Sequence, residues 1–175
     1  MSTTTGFGTQ DYDQWPLVSR CLVYILMAIG GCSGSTAGGV KLVRIFVLLS
    51  ILRQEISKTF RPKRVFTISM DGRKIDSDAQ WGVVTYLALV GMLVMMATLT
   101  VSLFEPSIKD LSTAFGAVFA TFFNLGPGFG DVGPTDNFAH LRPGTLAFLS
   151  GLMLLGRLEI FVLLALISKS LWSRY

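Results

Sequence analysis

The chain has 175 residues, of which 51% are hydrophobic and only 15% are charged, and the charged residues are gathered into a few segments. This composition is typical of a membrane protein rather than of a soluble domain. The chain has two cysteines, and no second pair lies near either of them. This count excludes a disulfide framework and a Cys/His metal site. The net charge of +4 does not indicate a nucleic-acid partner, because much of the basic charge lies in one polar linker between apolar segments. These linker residues are Lys58, Arg61, Lys63, Arg64, Arg73 and Lys74.

The first feature along the chain is a Gly-rich pentapeptide, Thr4-Thr5-Gly6-Phe7-Gly8, which an acidic turn follows. Residues 17–29 are then apolar apart from Arg20, residues 30–39 are rich in Gly, Ser and Thr, and residues 40–52 resume a helical pattern. Each helical half is about 20 Å long, too short to cross about 30 Å of hydrocarbon alone. Together they predict one spanning element broken at depth by a Gly-rich loop. Non-helical backbone inside a membrane is tolerated where protein buries it or a cavity solvates it, so the break indicates a transport pathway.

The remaining segments predict a topology. The linker 57–80 is polar and basic, which places it in the cytoplasm by the positive-inside rule. Residues 82–104 carry no charge and are long enough to span outward, whereas residues 111–123 are apolar but too short. Residues 144–168 run back inward, so that the C-terminus is cytoplasmic.

The same order of segments, a Gly-rich pentapeptide, an acidic turn and then a long apolar helix, occurs a second time. Residues 124–128, Asn-Leu-Gly-Pro-Gly, are followed by an acidic turn and a long apolar helix, and they are preceded by the short apolar segment 111–123, which predicts a pore helix. A dehydrated potassium ion needs a ring of oxygens, and backbone carbonyls supply it when consecutive peptides point the same way, a geometry that glycine permits. Thr-Thr-Gly-Phe-Gly resembles the potassium-channel filter pattern Thr-Val-Gly-Tyr-Gly, with Gly6 central, and Gly126 holds that place in a divergent copy.

A single pentapeptide of this kind is more often an ordinary Gly-rich surface turn, and the pairing of two favours a filter. The residues predicted to bind the ion are Thr4, Thr5, Gly6, Phe7, Gly8, Asn124, Leu125, Gly126, Pro127 and Gly128. The predicted outer segments carry an excess of carboxylates, which we expect to raise the local cation concentration at an entrance. These are Asp11, Asp13, Glu105, Asp110, Asp131 and Asp136.

The run 30–39 is not a phosphate-binding loop, because the Gly-Lys-Ser/Thr order is absent and no buried strand precedes it. Two interpretations stay open for it, a helix kink with close packing and a flexible constriction below the filter. The second predicts a gate. Its residues are Gly30, Gly31, Ser33, Gly34, Ser35, Thr36, Gly38, Gly39, Lys41 and Arg157.

Arg157 belongs to this set because it lies near the middle of the last apolar helix. A charge there costs about 2.5 to 3.5 kcal/mol on insertion scales and usually faces an interior cavity. Glu159 lies on a different face of the helix and cannot simply neutralise it. We therefore expect Arg157 to donate to carbonyls of the Gly-rich loop and Glu159 to pair with Lys41 or Arg44. The alternative is an inter-helix salt bridge without a role in transport.

In these motifs the chain resembles the Trk/Ktr/HKT superfamily of potassium transporters, and most closely the bacterial Trk-type membrane subunit. The resemblance rests on Thr4-Thr5-Gly6-Phe7, on the run 30–41, on residues 124–128 and on Gly156-Arg157-Leu158-Glu159, in family order across the whole chain. It implies an all-α polytopic membrane protein built from helix–pore loop–helix repeats, four to a polypeptide. Residues 1–56 are then the end of the third repeat, 57–80 a cytoplasmic basic linker and 81–175 the complete fourth repeat.

The resemblance further implies potassium uptake across the bacterial cytoplasmic membrane, through carbonyl ligands and a Gly-rich intramembrane gate. Potassium at the filter is the only metal that we expect, and no cofactor. By the same resemblance, the full-length protein forms a homodimer in membrane lipid and binds a cytoplasmic ring of nucleotide-binding regulatory subunits.

A second hypothesis is that the chain is a truncated, non-conducting fragment or an assembly subunit that needs another chain to form a pore. An enzymatic function has little support, because the only histidine, His140, has no nucleophile or metal set around it.

Overall fold

A computed structural model of the chain describes residues 4–6, 8, 10–30, 39–60, 69–70 and 73–157. These residues are mostly helical. The helices are α1 (Leu17–Ala28), α2 (Leu42–Phe60), α3 (Ser77–Phe104), α4 (Leu111–Phe122) and α5 (Pro143–Arg157). Short 3₁₀ turns cover Tyr12–Gln14, Gly130–Val132 and Phe138–His140. Two short strands, β1 (Ser69–Met70) and β2 (Arg73–Lys74), pair antiparallel.

Helix α3 is the one helix in this described part that is long and apolar enough to cross a membrane. Its 28 residues extend about 42 Å, against about 30 Å of hydrocarbon. One face, with Tyr86, Val90 and Val94 one turn apart, is buried against the rest of the protein. The other face exposes apolar side chains, namely Met92, Met95, Met96, Leu99, Leu103 and Phe104. A helix that is apolar on all sides fits a membrane span, in which lipid covers the outward face.

Helix α4 lies at the centre of the fold. Its 12 residues are apolar and extend about 18 Å, which is too short to cross about 30 Å of hydrocarbon. It packs between α3 and α5, and small residues on its surface, including Ala114, Gly116, Ala117 and Ala120, are buried. The longer helices therefore enclose a short one whose C-terminus leads directly into the second Gly-rich loop.

The helix bounds confirm most of the predicted elements. Helices α1 and α4 match the predicted segments 17–29 and 111–123, each to within one residue at its end. Helix α2 continues past its predicted end at Leu52, and α3 begins before its predicted start at Gly82. The polar residues at these ends make their backbone hydrogen bonds within the helix. Each helix therefore continues beyond the point where the apolar pattern stops. The predicted end of α5, at Ser168, lies outside the described residues.

Glu105 follows α3 and is a correction to the predicted outer acidic surface. Its side chain is 1% exposed. The carboxylate accepts hydrogen bonds from the Thr145 hydroxyl at 2.6 Å and from the Arg142 amide at 3.0 Å. It thereby joins the end of α3 to the start of α5. The prediction that Glu105 lines a cation entrance is wrong, because a buried carboxylate whose oxygens already hold donors does not face an approaching ion.

Replacing Glu105 with alanine is expected to lower the free energy of unfolding by about 3 kcal/mol, because buried donors lose their acceptor. Burial raises the pKa of Glu105, but hydrogen bonds from Thr145, Arg142 and Ser107 outweigh it and lower the pKa from 4.5 to about 2. Since the folded-state pKa is depressed, this stabilisation is present above pH 4.5 and is lost as the pH falls toward 2.

Thermal unfolding of the chain in detergent tests both statements, with Glu105→Gln as the matched variant that cannot ionise. We expect the difference in melting temperature between the wild type and Glu105→Gln to shrink between neutral pH and about pH 3. A difference that stays constant across this range would show that the charge of Glu105 contributes nothing.

Candidate functional site

The two Gly-rich loops share an unusual backbone conformation. Thr4 and Gly6 have positive φ angles of 53° and 80°, and Asn124 and Gly126 repeat the pattern with 55° and 103°. The residue between them in each loop does not have a positive φ. A left-handed conformation costs a non-glycine residue about 1–2 kcal/mol, so the same alternation in two loops needs a reason. A backbone in which positive and negative φ angles alternate turns successive carbonyl oxygens toward one side of the chain, as a ring of carbonyl ligands requires.

The two loops are also in contact with each other. A Cβ atom added to Gly6 would lie 2.9 Å from the carbonyl oxygen of Leu125, and one added to Gly126 would lie 3.5 Å from the Cα of Gly6. The central glycines that the sequence singled out therefore face one another. Together with Pro127 they border an open cavity of about 570 Å³, whose opposite wall is formed by α5.

Helix α4 holds the second loop at its C-terminal end. The amide of Leu125 donates to the carbonyl of Ala120 at 2.9 Å, so the first turn of the loop stays attached to the helix. The side-chain amide of Asn124 donates to the carbonyl of Met153 on α5 at 3.0 Å, which explains an asparagine at this left-handed position. The negative end of the helix dipole thus points toward the loop, where it favours a cation.

This packing depends on the predicted filter residue Gly128 and on two glycines that the sequence analysis did not place in the site, Gly116 and Gly156. A Cβ on Gly116 of α4 would lie 2.7 Å from the amide nitrogen of Phe129, and one on Gly128 would lie 2.9 Å from the carbonyl oxygen of Gly116. A Cβ on Gly156 of α5 would overlap the carbonyl oxygen of Phe122. Backbone therefore touches backbone at each point. For Gly116 and Gly156, the signal available in the sequence was an isolated glycine within an apolar helical pattern.

Three of the predicted outer carboxylates lie together. Asp11, Asp13 and Asp136 line a cavity of about 480 Å³ beside the second loop, and Arg20 of α1 also lines it. Burial raises the pKa of Asp13, and a hydrogen bond from the Gly130 amide opposes this without reversing it. The remaining acids of the predicted set are Asp110 and Asp131, which are exposed, and the buried Glu105.

The predicted gate is described at its two ends. The amide of Gly30 donates to the carbonyl of Val40, and the amide of Val40 donates to the carbonyl of Ala28, each at 2.9 Å. Gly39 has a φ of 92°, and a Cβ there would lie 2.9 Å from the Cα of Gly30. Helices α1 and α2 are thus separated by a loop whose ends are hydrogen-bonded to each other, as expected of a broken spanning helix.

Several predicted site residues lie outside the described residues. They are Phe7, Gly31, Ser33, Gly34, Ser35, Thr36, Gly38 and Glu159. The predicted contact between Arg157 and the Gly-rich loop is therefore not described, although Arg157 itself ends the described part of α5 and is exposed. The guanidinium of Arg44 lies 3.9 Å from the centre of the Tyr86 ring, which connects α2 to α3.

A short buried helix packs between a helix long enough to span a membrane and a second apolar helix, and it ends at a loop in which positive and negative φ angles alternate. This arrangement is typical of pore-loop membrane proteins of the channel and transporter kind. The family described as "TrkH: Cation transport protein" matches residues 1–174, and the chain belongs to this family. The family is one of cation transporters, so the prediction that the chain is not an enzyme is confirmed.

Known relatives support this assignment. The Trk system potassium uptake protein TrkH of Salmonella typhimurium is 38% identical over 98% of this chain, and TrkI of Halomonas elongata is 33% identical over 98%. The crystal structure of the potassium transporter TrkH from Vibrio parahaemolyticus matches 98% of this chain with a TM-score of 0.85 and 34% identity. The chain spans about a third of these proteins, 35% of the Salmonella protein and 36% of the Vibrio chain. The predicted all-α polytopic fold with pore-loop repeats is confirmed.

Proposed function

We propose that this chain supplies two adjoining quarters of a potassium filter in an uptake protein of the bacterial cytoplasmic membrane. The observation that carries the proposal is the matched alternation of φ in the two loops, with Gly6 and Gly126 in contact. Carbonyl oxygens from both loops then replace part of the hydration shell of the ion. The relatives named for potassium uptake support potassium as the cation.

The ten predicted filter residues take different places in this proposal. The carbonyls of Thr4, Thr5 and Gly6, and those of residues 124–126, belong to the segments of alternating hand and are the proposed ligands. The carbonyl of Gly128 already accepts a hydrogen bond at 2.6 Å from the Tyr12 hydroxyl. We assign Gly128 to holding the loop, and we keep Phe7, Gly8 and Pro127 as flanking residues of the filter.

The other parts of the pathway follow from this placement. The Gly-rich loop 30–39, with Lys41 and Arg157, is the proposed gate on the cytoplasmic side of the filter, and the hydrogen bonds of Val40 with Ala28 and Gly30 support this proposal. Asp11, Asp13 and Asp136 are the proposed outer cation-attracting group. A homodimer of the full-length protein, a regulatory ring of nucleotide-binding subunits and a cytoplasmic linker 57–80 remain proposals from the family resemblance.

A chimera tests the proposal. In it this chain replaces the matching segment of TrkH from Vibrio parahaemolyticus, which supplies the rest of the pore. Produced in a bacterium that lacks potassium uptake, the chimera is expected to restore growth at low potassium and to carry rubidium into cells. The parent protein is the positive control. A chimera that reaches the membrane in normal amounts but carries no rubidium would contradict the proposal.

A second candidate function is that the chain alone is a non-conducting assembly subunit. The described residues include two of the proposed filter loops, and the cavity beside Gly126 is open. We therefore expect the purified chain in liposomes to carry no rubidium by itself, and the chimera to carry it. Flux through the chain alone would contradict the need for a partner.

A further inference from the structure

We propose that Tyr12 and Asp13 are positioning residues that clamp the second loop to the segment after the first, and that this clamp determines how well the filter discriminates potassium from sodium. The inference rests on the proposed function and deepens it. Tyr12 and Asp13 are not themselves proposed as ion ligands. They lie on the 3₁₀ turn Tyr12–Gln14, shortly after Gly6 and Gly8.

Tyr12 makes the first contact of the clamp. Its side chain is 4% exposed, and its hydroxyl donates to the carbonyl of Gly128 at 2.6 Å. Its ring packs edge-on against Phe129 with the centroids 4.9 Å apart. A buried hydroxyl needs a partner, and here that partner is a carbonyl of the other loop. The direction of this carbonyl is therefore set by a residue of the segment that follows the first loop.

Asp13 makes the second contact. Its carboxylate oxygen Oδ2 accepts a hydrogen bond from the amide of Gly130 at 2.7 Å. A Cβ added to Gly133 would lie 2.9 Å from the same oxygen, so the absence of a side chain at position 133 leaves room for the carboxylate. The amide of Asp13 also donates to Oδ1 of Asp11 at 3.0 Å, which stabilises the 3₁₀ turn that carries Tyr12 and Asp13. Charge-assisted hydrogen bonds of this kind are the stronger class.

The clamp fixes a distance between two repeats. Gly128 lies two residues after Gly126, and Tyr12 lies six residues after Gly6. The two hydrogen bonds therefore connect short segments that leave the two central glycines, and they limit how far the loops can separate. Discrimination of potassium from sodium depends either on the size of the carbonyl cage or on the number and field strength of its carbonyls. Loosening one loop against the other changes both.

Hydrogen exchange of the purified full chain in detergent tests the clamp without reference to transport. We expect Tyr12→Phe and Asp13→Ala each to raise the amide exchange rate of residues 128–132 by about tenfold, the effect of losing one stabilising hydrogen bond. Asp13→Asn keeps an acceptor and is expected to change the rate by less. Unchanged exchange in both Tyr12→Phe and Asp13→Ala would overturn the clamp.

Tyr24→Phe is the matched control. Tyr24 stacks on the same Phe129 ring with the centroids 3.9 Å apart, and within the described residues its hydroxyl makes no hydrogen bond. Tyr24→Phe removes a phenolic oxygen from the same aromatic cluster, as Tyr12→Phe does, but it breaks no hydrogen bond to the loop. We therefore expect no change in the amide exchange rate of residues 128–132. An equal rise in Tyr24→Phe would show that ring packing, and not the hydrogen bond to Gly128, holds the loop.

The ratio of rubidium to sodium flux through the chimera tests the role in selectivity. We expect Tyr12→Phe and Asp13→Ala to lower this ratio by about tenfold, with Asp13→Asn and Tyr24→Phe near the wild type. Faster exchange with an unchanged ratio would overturn the role in selectivity. If the wild-type chimera carries no ion, the proposed function fails, and the exchange experiment still decides whether the clamp exists.

Discussion

Replacing Gly126 with aspartate is expected to lower rubidium flux through the chimera by at least about 100-fold, because a φ of 103° strains any L-residue and the carboxylate adds a negative charge beside the proposed carbonyl ligands. A Cβ there would lie 3.5 Å from the Cα of Gly6, an ordinary van der Waals contact, so the strain comes from the backbone conformation. Relief of this strain changes the backbone conformation of the second loop. That change turns carbonyl ligands away from the ion. Uptake of radioactive rubidium by cells that produce the chimera measures the effect.

Gly91→Ala is the control for this variant. Gly91 lies in α3, and among the described residues a Cβ added there meets no atom outside its own helix backbone within 4 Å. We expect its flux to equal that of the wild type, and Gly126→Ala, which adds the strain without the charge, to fall between the two. Unchanged rubidium flux in Gly126→Asp, at equal amounts in the membrane, would refute the assignment of Gly126 to the filter.

Replacing Gly156 with alanine is expected to lower the free energy of unfolding by about 3 kcal/mol, because the new methyl group overlaps the carbonyl of Phe122. This carbonyl belongs to the last turn of α4, so neither it nor the helix that carries Gly156 can move alone. Helix α5 must move away from α4, which also weakens the hydrogen bond from Asn124 to Met153. Unfolding of the chain in detergent, followed by tryptophan fluorescence, measures the loss.

Gly151→Ala on the same helix is the matched variant. In the part of the chain that the structure describes, no atom beyond the backbone of α5 itself lies within 4 Å of a Cβ placed there. Since alanine favours a helix over glycine by about 0.5–1 kcal/mol, Gly151→Ala is expected to be neutral or stabilising. Equal losses in the two variants would show that helix propensity, and not the contact with Phe122, governs both sites.

The helices and the two loops could be predicted because their signals are local. The length of an apolar run separates a spanning helix such as α3 from the short α4, and glycine marks the positions where φ becomes positive, at Gly6 and Gly126. The same reasoning failed for the ends of α2 and α3, since polar residues can continue a helix beyond the membrane. It also missed the hairpin of β1 and β2, although Asp71 and Gly72 between the strands are a pair that favours such a turn.

Contacts between distant segments could not be predicted in this way. In the sequence, Glu105 cannot be distinguished from the other predicted outer carboxylates. Its burial depends on the start of α5, where Arg142 and Thr145 donate hydrogen bonds to it. The bond from Tyr12 to Gly128 likewise joins two repeats, and nothing near Tyr12 in the sequence indicates it. Such pairs depend on how the repeats pack together, which the order of the residues does not show by itself.

Thallium, a heavy monovalent cation that replaces potassium, shows directly whether the two loops bind the same ion. Crystals of the chimera grown in thallium salts locate the ion through its anomalous scattering. We expect a peak between the carbonyl oxygens of residues 4–6 and those of residues 124–126, and its loss in Gly126→Asp. A conducting chimera whose thallium peaks all lie away from these two segments would contradict a filter built from Gly6 and Gly126.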